Sequence, residues 1–396
     1  MASGLYYGTG GWTAFASRMS GKQPAAVTGA AKIGPGDKAT LRGKVTPEGT
    51  ATTYQFEYGT TPSYGQSAPA APAPAGSGFK EASVSQVVEG LEANRVYHYR
   101  IVASSSEGTS YGRDRTFSLL TPSYKSAFGS QGTGNGQFKV LTDIALDPGD
   151  GSLWATDDDN NRVQHLSASG AYIGQFSGCE DPAALTVDGQ GNVYEACNSV
   201  RKYNAEGELV KTIAAYGTGT GQVRFPTDLT IDDSGNLWVA DSENERVLEF
   251  SSSGTLLNTV SLGAQGRAWG IDLSPSGEIW VAEPSLHRVT VLDQAGKVLN
   301  RFGTEGSGDG QFARPSDIEV DNRGHVWVAD AGNGRVQVFD EDGEFLDEFG
   351  SQGTGNGQFS TEWWLRLAVG DNGDIWVSDD ANHRVQRWFS GGWVLG

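Results

Sequence analysis

The chain has 396 residues, enough for two or three domains, and 56 of them are glycine. Charged residues make up only 19% of the chain, and its apolar residues alternate with polar ones in short runs, which favours an all-β protein over a disordered one. The net charge is −19, and residues 123–396 carry 18 basic and 40 acidic side chains. Because nucleic acid would be repelled by such a surface, we expect no nucleic-acid partner.

Residues 1–23 form an N-terminal segment to which the sequence assigns no role. It lacks a charged start followed by an apolar run, so it does not read as a signal peptide. No stretch of 18 consecutive apolar residues occurs anywhere, so we expect no membrane insertion. We expect the chain to be a piece of a larger surface protein.

Residues 24–121 contain strand-like runs that are separated by glycine, proline and serine. The run LEANRVYHYRIVA predicts a tyrosine corner in which Tyr97 or Tyr99 closes a Greek-key turn. Residues 66–78, QSAPAAPAPAGSG, are rich in proline and alanine and predict a mobile loop.

Two phrases in this part, TYQFEYGTT and YHYRIVA, carry a resemblance. It is similar to the fibronectin-type-III-like domains of bacterial secreted proteins. The resemblance implies an N-terminal immunoglobulin-like β-sandwich and an extracellular or cell-surface location.

Residues 123–396 contain six imperfect copies of one phrase. A large strand residue recurs at spacings of 40, 44, 42, 47 and 49 residues. Its positions are Trp154, Tyr194, Trp238, Trp280, Trp327 and Trp376. A period of this length, with four short strands in each unit, is typical of a β-propeller blade.

Four of the copies share a strand ending in Asp followed by Asn-x-Arg-Val, as in WVADAGNGRVQVF, and GTGNGQF precedes two of them. This pattern resembles NHL-repeat propellers and implies a six-bladed β-propeller. The second and fourth copies depart from it, with EACNSVRKY and WVAEPSLHRVTVL. Residues 123–129, SYKSAFG, match the blade-ending phrase EFLDEFG, so we expect them to complete the sixth blade.

The repeated Asp or Glu and the Arg that follows it predict structural ion pairs. The only cysteines are Cys179 and Cys197, near one end of a predicted hairpin. A disulfide between them is geometrically plausible and would favour an oxidising compartment, and two reduced apolar thiols are the alternative.

Carboxylates break the repeat just after the start of three innermost strands. Asp143, Asp228 and Asp317 occupy this position in copies one, three and five, and Arg366 occupies it in copy six. Since innermost strands line the channel of a propeller, the three aspartates predict a metal site for Ca²⁺, the cofactor that the sequence leaves open. In the alternative, each aspartate caps backbone N–H groups in its own loop.

Three tryptophans fall outside the packing series, namely Trp269, Trp363 and Trp364. They lie at the same ends of the innermost strands, so we predict that they form a ligand-binding surface with these aspartates and Arg366. The five histidines occupy different positions of different repeats, so they predict no zinc site, and no catalytic residue is assigned.

Together these patterns predict a non-enzymatic binding or scaffold protein, extracellular or at the cell surface, that presents a propeller face to a protein or carbohydrate ligand. The alternative is a Ca²⁺-dependent hydrolase or lyase of the six-bladed propeller type.

Overall fold

A computed structural model describes residues 22–33, 37–92, 95–118, 122–263, 266–322, 324–361 and 365–390. The described residues are almost entirely β-strand and turn, and no helix among them is long and apolar enough to cross a membrane. The chain divides into two compact units, residues 1–119 and 120–396. All but the last two residues of the segment 1–23 lie outside the described residues.

The part of the first unit that the structure describes contains nine strands. Their bounds are β1 Ala25–Thr28, β2 Lys32–Ile33, β3 Ala39–Thr46, β4 Thr52–Gly59, β5 Gln66–Gly76, β6 Ala82–Val88, β7 Val96–Ser105, β8 Gly108–Tyr111 and β9 Arg115–Ser118. In one antiparallel sheet β3 pairs with β1, β2 and β6, and in the other β4 pairs with β5 and β7, while β7 also pairs with β8 and β9. Alternate residues of β3 and β7 are buried, as expected for strands with one face on a core.

The proline- and alanine-rich stretch is a strand and not the predicted loop. β5 pairs with β4 along Thr52–Tyr58, with two irregularities in register. Proline has no N–H to donate, so it is tolerated at the edge of a sheet, and β5 is the edge strand here. The position in the sheet overrides the composition.

Tyr97, and not Tyr99, makes the contact of a tyrosine corner. The Tyr97 hydroxyl accepts a hydrogen bond from the backbone N–H of Glu92, five residues upstream, at 2.9 Å. Tyr99 instead donates its hydroxyl to the carbonyl of Gly29 at 2.6 Å. Both rings pack against Phe117 in the core.

The described residues of the second unit form 24 strands. Their bounds are β10 Ser123–Phe128, β11 Leu141–Leu146, β12 Leu153–Asp157, β13 Arg162–Leu166, β14 Tyr172–Ser177, β15 Ala184–Val187, β16 Val193–Ala196, β17 Val200–Tyr203, β18 Leu209–Ala214, β19 Pro226–Ile231, β20 Leu237–Asp241, β21 Arg246–Phe250, β22 Leu256–Ser261, β23 Gly270–Leu273, β24 Ile279–Glu283, β25 Arg288–Leu292, β26 Val298–Phe302, β27 Pro315–Val320, β28 Val326–Asp330, β29 Arg335–Phe339, β30 Phe345–Phe349, β31 Leu365–Val369, β32 Asp374–Asp379 and β33 Arg384–Phe389. The unit also has five short 3-10 turns, Asp158–Asn160, Ser242–Asn244, Pro284–Leu286, Ala331–Asn333 and Asp380–Asn382.

The described residues of this unit form four-stranded antiparallel sheets, which we number by their first strands. Sheets one to five are β11–β14, β15–β18, β19–β22, β23–β26 and β27–β30, and sheet six has the order β10-β33-β32-β31. We call β11, β15, β19, β23, β27 and β31 the inner strands. Each inner strand contacts the inner strand of the next sheet, and β31 contacts β11.

Residues from both ends of the unit build sheet six. β10 pairs antiparallel with β33, from Ser123 opposite Phe389 to Phe128 opposite Val385. The pairing that the phrase SYKSAFG predicted is therefore present. Phe128 also packs against the apolar cluster of sheet one, so β10 joins the last sheet to the first.

The large strand residues fill the spaces between sheets. Trp154, Tyr194, Trp238 and Trp280 are each at most 3% exposed. Each belongs to a buried cluster that its own sheet shares with the following sheet, as Trp238 does with Ile271 and Val281. Trp376 closes the series because it lies in one cluster with residues of sheet one. Burial of such large rings supplies much of the apolar stabilisation between sheets.

We predict that Phe128→Ala lowers the free energy of unfolding of the second unit by about 2 kcal/mol, although Phe128 lies outside all six repeats. The loss arises because its ring packs against sheet one from a strand of sheet six. Urea unfolding followed by tryptophan fluorescence measures it, since ten of the 11 tryptophans lie in residues 120–396. Tyr111→Ala, an exposed tyrosine of the first unit, is the control, and equal transitions for the two variants would contradict the prediction.

Candidate functional site

The three predicted aspartates link neighbouring inner strands. Asp143 on β11 accepts the N–H of Ile144 at 2.9 Å and that of Leu185 on β15 at 2.8 Å. Asp228 on β19 repeats this with Leu229 at 2.8 Å and Ile271 on β23 at 2.7 Å. Each side chain thus uses one carboxylate oxygen within its own strand and the other on the next sheet.

Asp317 on β27 also links its own inner strand to that of the following sheet. One of its oxygens accepts the N–H of Leu367 on β31 at 2.7 Å. The other lies 3.4 Å from a guanidinium nitrogen of Arg366. Sheets one, three and five therefore supply the carboxylates, and sheets two, four and six supply backbone donors.

Arg366 is fully buried and reaches across several inner strands. Its guanidinium donates to the carbonyls of Thr227 at 2.7 Å, Trp269 at 3.2 Å and Ser316 at 3.2 Å. The guanidinium of Arg366, on sheet six, thus binds sheets three, four and five where their inner strands begin. The side chain of Trp269 is half-buried there, and the predicted Trp363 and Trp364 lie outside the described residues.

Two further carboxylates lie on the inner strands near the three aspartates, and sequence reasoning missed them. Asp272 and Glu319 stand two residues after the aspartate position on β23 and β27, so the period of two places them on the same strand face. Asp272 accepts the Thr230 hydroxyl at 2.7 Å and the N–H of Val320 at 2.8 Å. Aligning the inner strands two residues further would have found both.

Four of these carboxylates border a cavity of about 390 Å³, which we call the acidic channel. Asp143, Asp228, Asp317 and Glu319 line it, together with apolar residues of the inner strands. Asp188, Asp232 and Asp233, from the turns that follow β15 and β19, also line it. The cavity therefore extends from the aspartates toward the turns where the inner strands end.

Burial governs the protonation of this group. It raises the pKa of Asp143 to about 7, with Arg366 opposing the shift and Asp317 adding to it. Burial likewise raises the pKa of Asp228 and of Glu319 well above the ordinary values, and neighbouring carboxylates add to both shifts. The pKa of Asp317 is raised by burial, with Arg366 as the main opposing influence.

The geometry bears on the predicted Ca²⁺ site at Asp143, Asp228 and Asp317. Their oxygens already accept hydrogen bonds from backbone N–H groups, as the capping alternative predicts. However, one donor to each aspartate belongs to the following sheet and so lies outside the aspartate's own loop. Within the described ranges, no group of three or more His, Cys, Asp or Glu side chains is arranged to hold a metal ion. The Ca²⁺ site stays a prediction.

Four glycine-rich loops precede sheets one, three, five and six. We call residues 130–138, 215–223, 304–312 and 351–359 the glycine loops. In each, backbone hydrogen bonds join the two ends, as between Gly132 and Phe138. Gly132 has φ +155°, and a Cβ there would lie 2.3 Å from Oε1 of Gln137. Sequence reasoning named two of these loops, and GTGTGQV and GSGDGQF are the other two.

The glycine loops cover the repeated ion pairs. Arg162 donates to Asp157 at 2.8 Å and to the loop carbonyls of Gly134 and Gln137 at 2.9 and 2.7 Å. Arg246, Arg335 and Arg384 repeat this arrangement. In sheet four, which lacks a glycine loop, Arg288 is more exposed and pairs with Glu283 at 2.6 Å.

Sheet two replaces the ion pair with a disulfide. Cys197 stands where the other sheets have Asp or Glu, and it is bonded to Cys179 with a Cα–Cα distance of 6.4 Å. The buried Glu195 accepts the N–H of Cys179 at 3.0 Å, as Asp157 accepts that of Lys139 in sheet one. Burial raises the pKa of Glu195.

The chain contains NHL repeats at residues 223–250, 312–339 and 365–388. No curated protein matches it. A streptogramin B lyase structure is 16% identical, with coverage of 74% of this chain and 89% of that one and a TM-score of 0.48. Virginiamycin B lyase from Staphylococcus aureus is 13% identical, with 75% and 92% covered and a TM-score of 0.47. A gluconolactonase from Xanthomonas campestris is 16% identical, with 68% and 97% covered and a TM-score of 0.48.

We predict that the ion pair of sheet five stabilises the fold more than that of sheet four. Asp330→Ala should cost about 3–5 kcal/mol of unfolding free energy, because this fully buried carboxylate holds Arg335 and the Asn333 amide under a glycine loop, and Arg335 would keep the half-exposed Glu348 as its anionic partner. Glu283→Ala should cost about 1–2 kcal/mol, since Arg288 can turn to water. Urea titration of both variants measures the difference, and equal losses would contradict the role given to the loop.

The channel carboxylates should make the second unit less stable as the pH rises. Because their pKa values are raised in the folded state, the stability that they contribute is present at low pH and is lost as the pH passes through about 7. We expect the free energy of unfolding to fall between about pH 4 and pH 7, the ordinary and the raised pKa of Asp143, and Glu319→Gln to reduce this fall by about 1 kcal/mol. Urea titrations across this range test it, with the exposed Glu305→Gln as control. A pH dependence unchanged by Glu319→Gln would contradict it.

Proposed function

We propose that the protein is a non-enzymatic binding protein of the cell surface or extracellular space. In this proposal the second unit is a six-bladed propeller, the first is a fibronectin-III-like sandwich, and the acidic channel receives a basic group of a protein partner. The observation that carries the proposal is the cavity of about 390 Å³ lined by Asp143, Asp228, Asp317 and Glu319.

Charge supports a basic ligand at two scales. Residues 123–396 carry 40 acidic and 18 basic side chains, so their field attracts cations from a distance and raises the rate of encounter. Inside the cavity, burial strengthens the attraction between a carboxylate and a Lys or Arg side chain. A cationic group would also relieve the repulsion from neighbouring carboxylates that adds to the effect of burial on the pKa of Glu319.

The predicted aspartates contribute charge from fixed positions. Their oxygens are held by N–H groups of Leu185, Ile271 and Leu367, so they need no rearrangement to face a ligand. Replacing them would disturb strand contacts as well as binding. Glu319 and Asp233 are therefore the better residues for a test, because they border the cavity and are less buried.

The test uses a blocked Lys-Lys-Lys peptide in calorimetric titrations of the whole chain at two salt concentrations. We expect salt-sensitive binding and a loss of about tenfold in affinity for the double variant Glu319→Gln with Asp233→Asn. Asp309→Asn, an exposed acid in a glycine loop, is the matched control. Equal loss in the control would mean that binding reflects net charge alone and would refute the proposed channel site.

The same titration distinguishes the alternative of a Ca²⁺-dependent hydrolase or lyase. Calcium chloride replaces the peptide as the titrant. Saturable Ca²⁺ binding that Glu319→Gln abolishes, without peptide binding, would favour the alternative over the binding function.

A further inference from the structure

Sheet two leaves part of the molecular surface uncovered. The connection from β14 to β15 is short and has no glycine loop, so nothing equivalent to residues 130–138 stands over the sheet. A cavity of about 660 Å³ lies here. We call it the sheet-two cavity, and its lining includes Cys179, Cys197, Asn198, Arg201 and Tyr216. It is separate from the channel, whose cavity shares none of these residues.

The lining combines one aromatic ring with uncharged polar groups. Tyr216, from the glycine loop of the next sheet, is 59% exposed and forms part of the wall. Asn198, Ser199 and Thr212 offer amide and hydroxyl groups, each able to donate and accept. The two charged residues, Glu180 and Arg201, have opposite signs, so the lining is neutral although the chain carries −19.

Covalent and hydrogen bonds within the protein fix the residues on both sides of the sheet-two cavity without a ligand. The disulfide joins Cys179 to Cys197, and Glu195 beneath them accepts the N–H of Cys179. A Cβ at Gly178 would lie 2.1 Å from Oε1 of Glu195, so this close approach requires glycine. On the other side, the glycine loop that carries Tyr216 is closed by backbone hydrogen bonds between its ends. A preformed site loses little entropy on binding.

We propose that the sheet-two cavity binds a neutral oligosaccharide. Saccharide hydroxyls both donate and accept, which suits the amide and hydroxyl groups of Asn198, Ser199 and Thr212. The apolar face of a sugar ring suits an exposed aromatic side chain such as Tyr216. A basic peptide would find no net negative charge here, and an apolar peptide would leave the polar lining unpaired. This site goes beyond the channel proposal and does not depend on it.

The experiment titrates the whole chain with four neutral hexasaccharides, namely maltohexaose, cellohexaose, xylohexaose and chitohexaose, by calorimetry. We expect at least one to bind with a Kd of about 1 mM or tighter. Tyr216→Ala and Asn198→Ala should each weaken that binding about tenfold. Both residues are exposed, so the unfolding transition should stay as in the unchanged protein.

Tyr172→Ala is the matched control, because Tyr172 is an exposed tyrosine on an outer strand of sheet one and should leave saccharide binding unchanged. The double variant Glu319→Gln with Asp233→Asn should also bind saccharide normally, which separates this proposal from the channel. Binding of none of the four saccharides would overturn the proposal. Equal weakening by Tyr172→Ala, or binding of the Lys-Lys-Lys peptide that Tyr216→Ala abolishes, would overturn it too.

Discussion

The second unit depends on hydrogen bonds between strands that belong to different sheets. Each inner strand is the edge of its own sheet, so one side of it carries N–H groups that have no partner within that sheet. Asp143, Asp228 and Asp317 satisfy these groups on the next strand and so replace the ladder that separate sheets cannot form. Packing of the large rings holds the sheets apart at a fixed distance, and the carboxylates fix their register at the channel.

Using carboxylates for this purpose has an electrostatic cost. Buried anions at close range raise one another's pKa, and Arg366 offsets only part of that effect. A neutral amide would also accept a hydrogen bond, but it would offer one acceptor oxygen where each carboxylate offers two. The same residues that join the sheets therefore also leave the channel acidic, and the proposed binding of a basic group depends on that acidity.

Much of the second unit was predictable because the positions that recur in its repeat carry large or charged side chains. The tryptophan spacing, the Asp and Arg pairs and the match of residues 123–129 to a blade-ending phrase all required only periodicity. The loop at residues 215–223 was harder to find, since Val223 replaces the phenylalanine of its siblings. The contacts of Asp143 could not be read from the chain, because a sequence shows a charge but not which N–H groups its oxygens face.

Other features needed knowledge of register or of position in a sheet. Glu319 is recognised as a channel residue, and Asp272 as its charged neighbour, only when the inner strands are aligned two residues further along. The strand β5 was hidden because proline opposes strand formation in general, and only its place at an edge makes it acceptable. The sheet-two cavity lies beside a repeat that has no glycine loop, and its lining comes from three short segments between residues 178 and 216.

The pairing of β10 with β33 has a consequence for biosynthesis. Ser123 and Phe389, which face each other in sheet six, are 266 residues apart in the chain. During synthesis, β10 is therefore the first strand of the second unit to leave the ribosome. It has no partner strand until five complete sheets have been made. Contacts of such long sequence separation form slowly, and a strand edge that is still unpaired can pair with another chain. The nascent protein thus passes through an open arc of sheets before its final strand converts the arc into a ring.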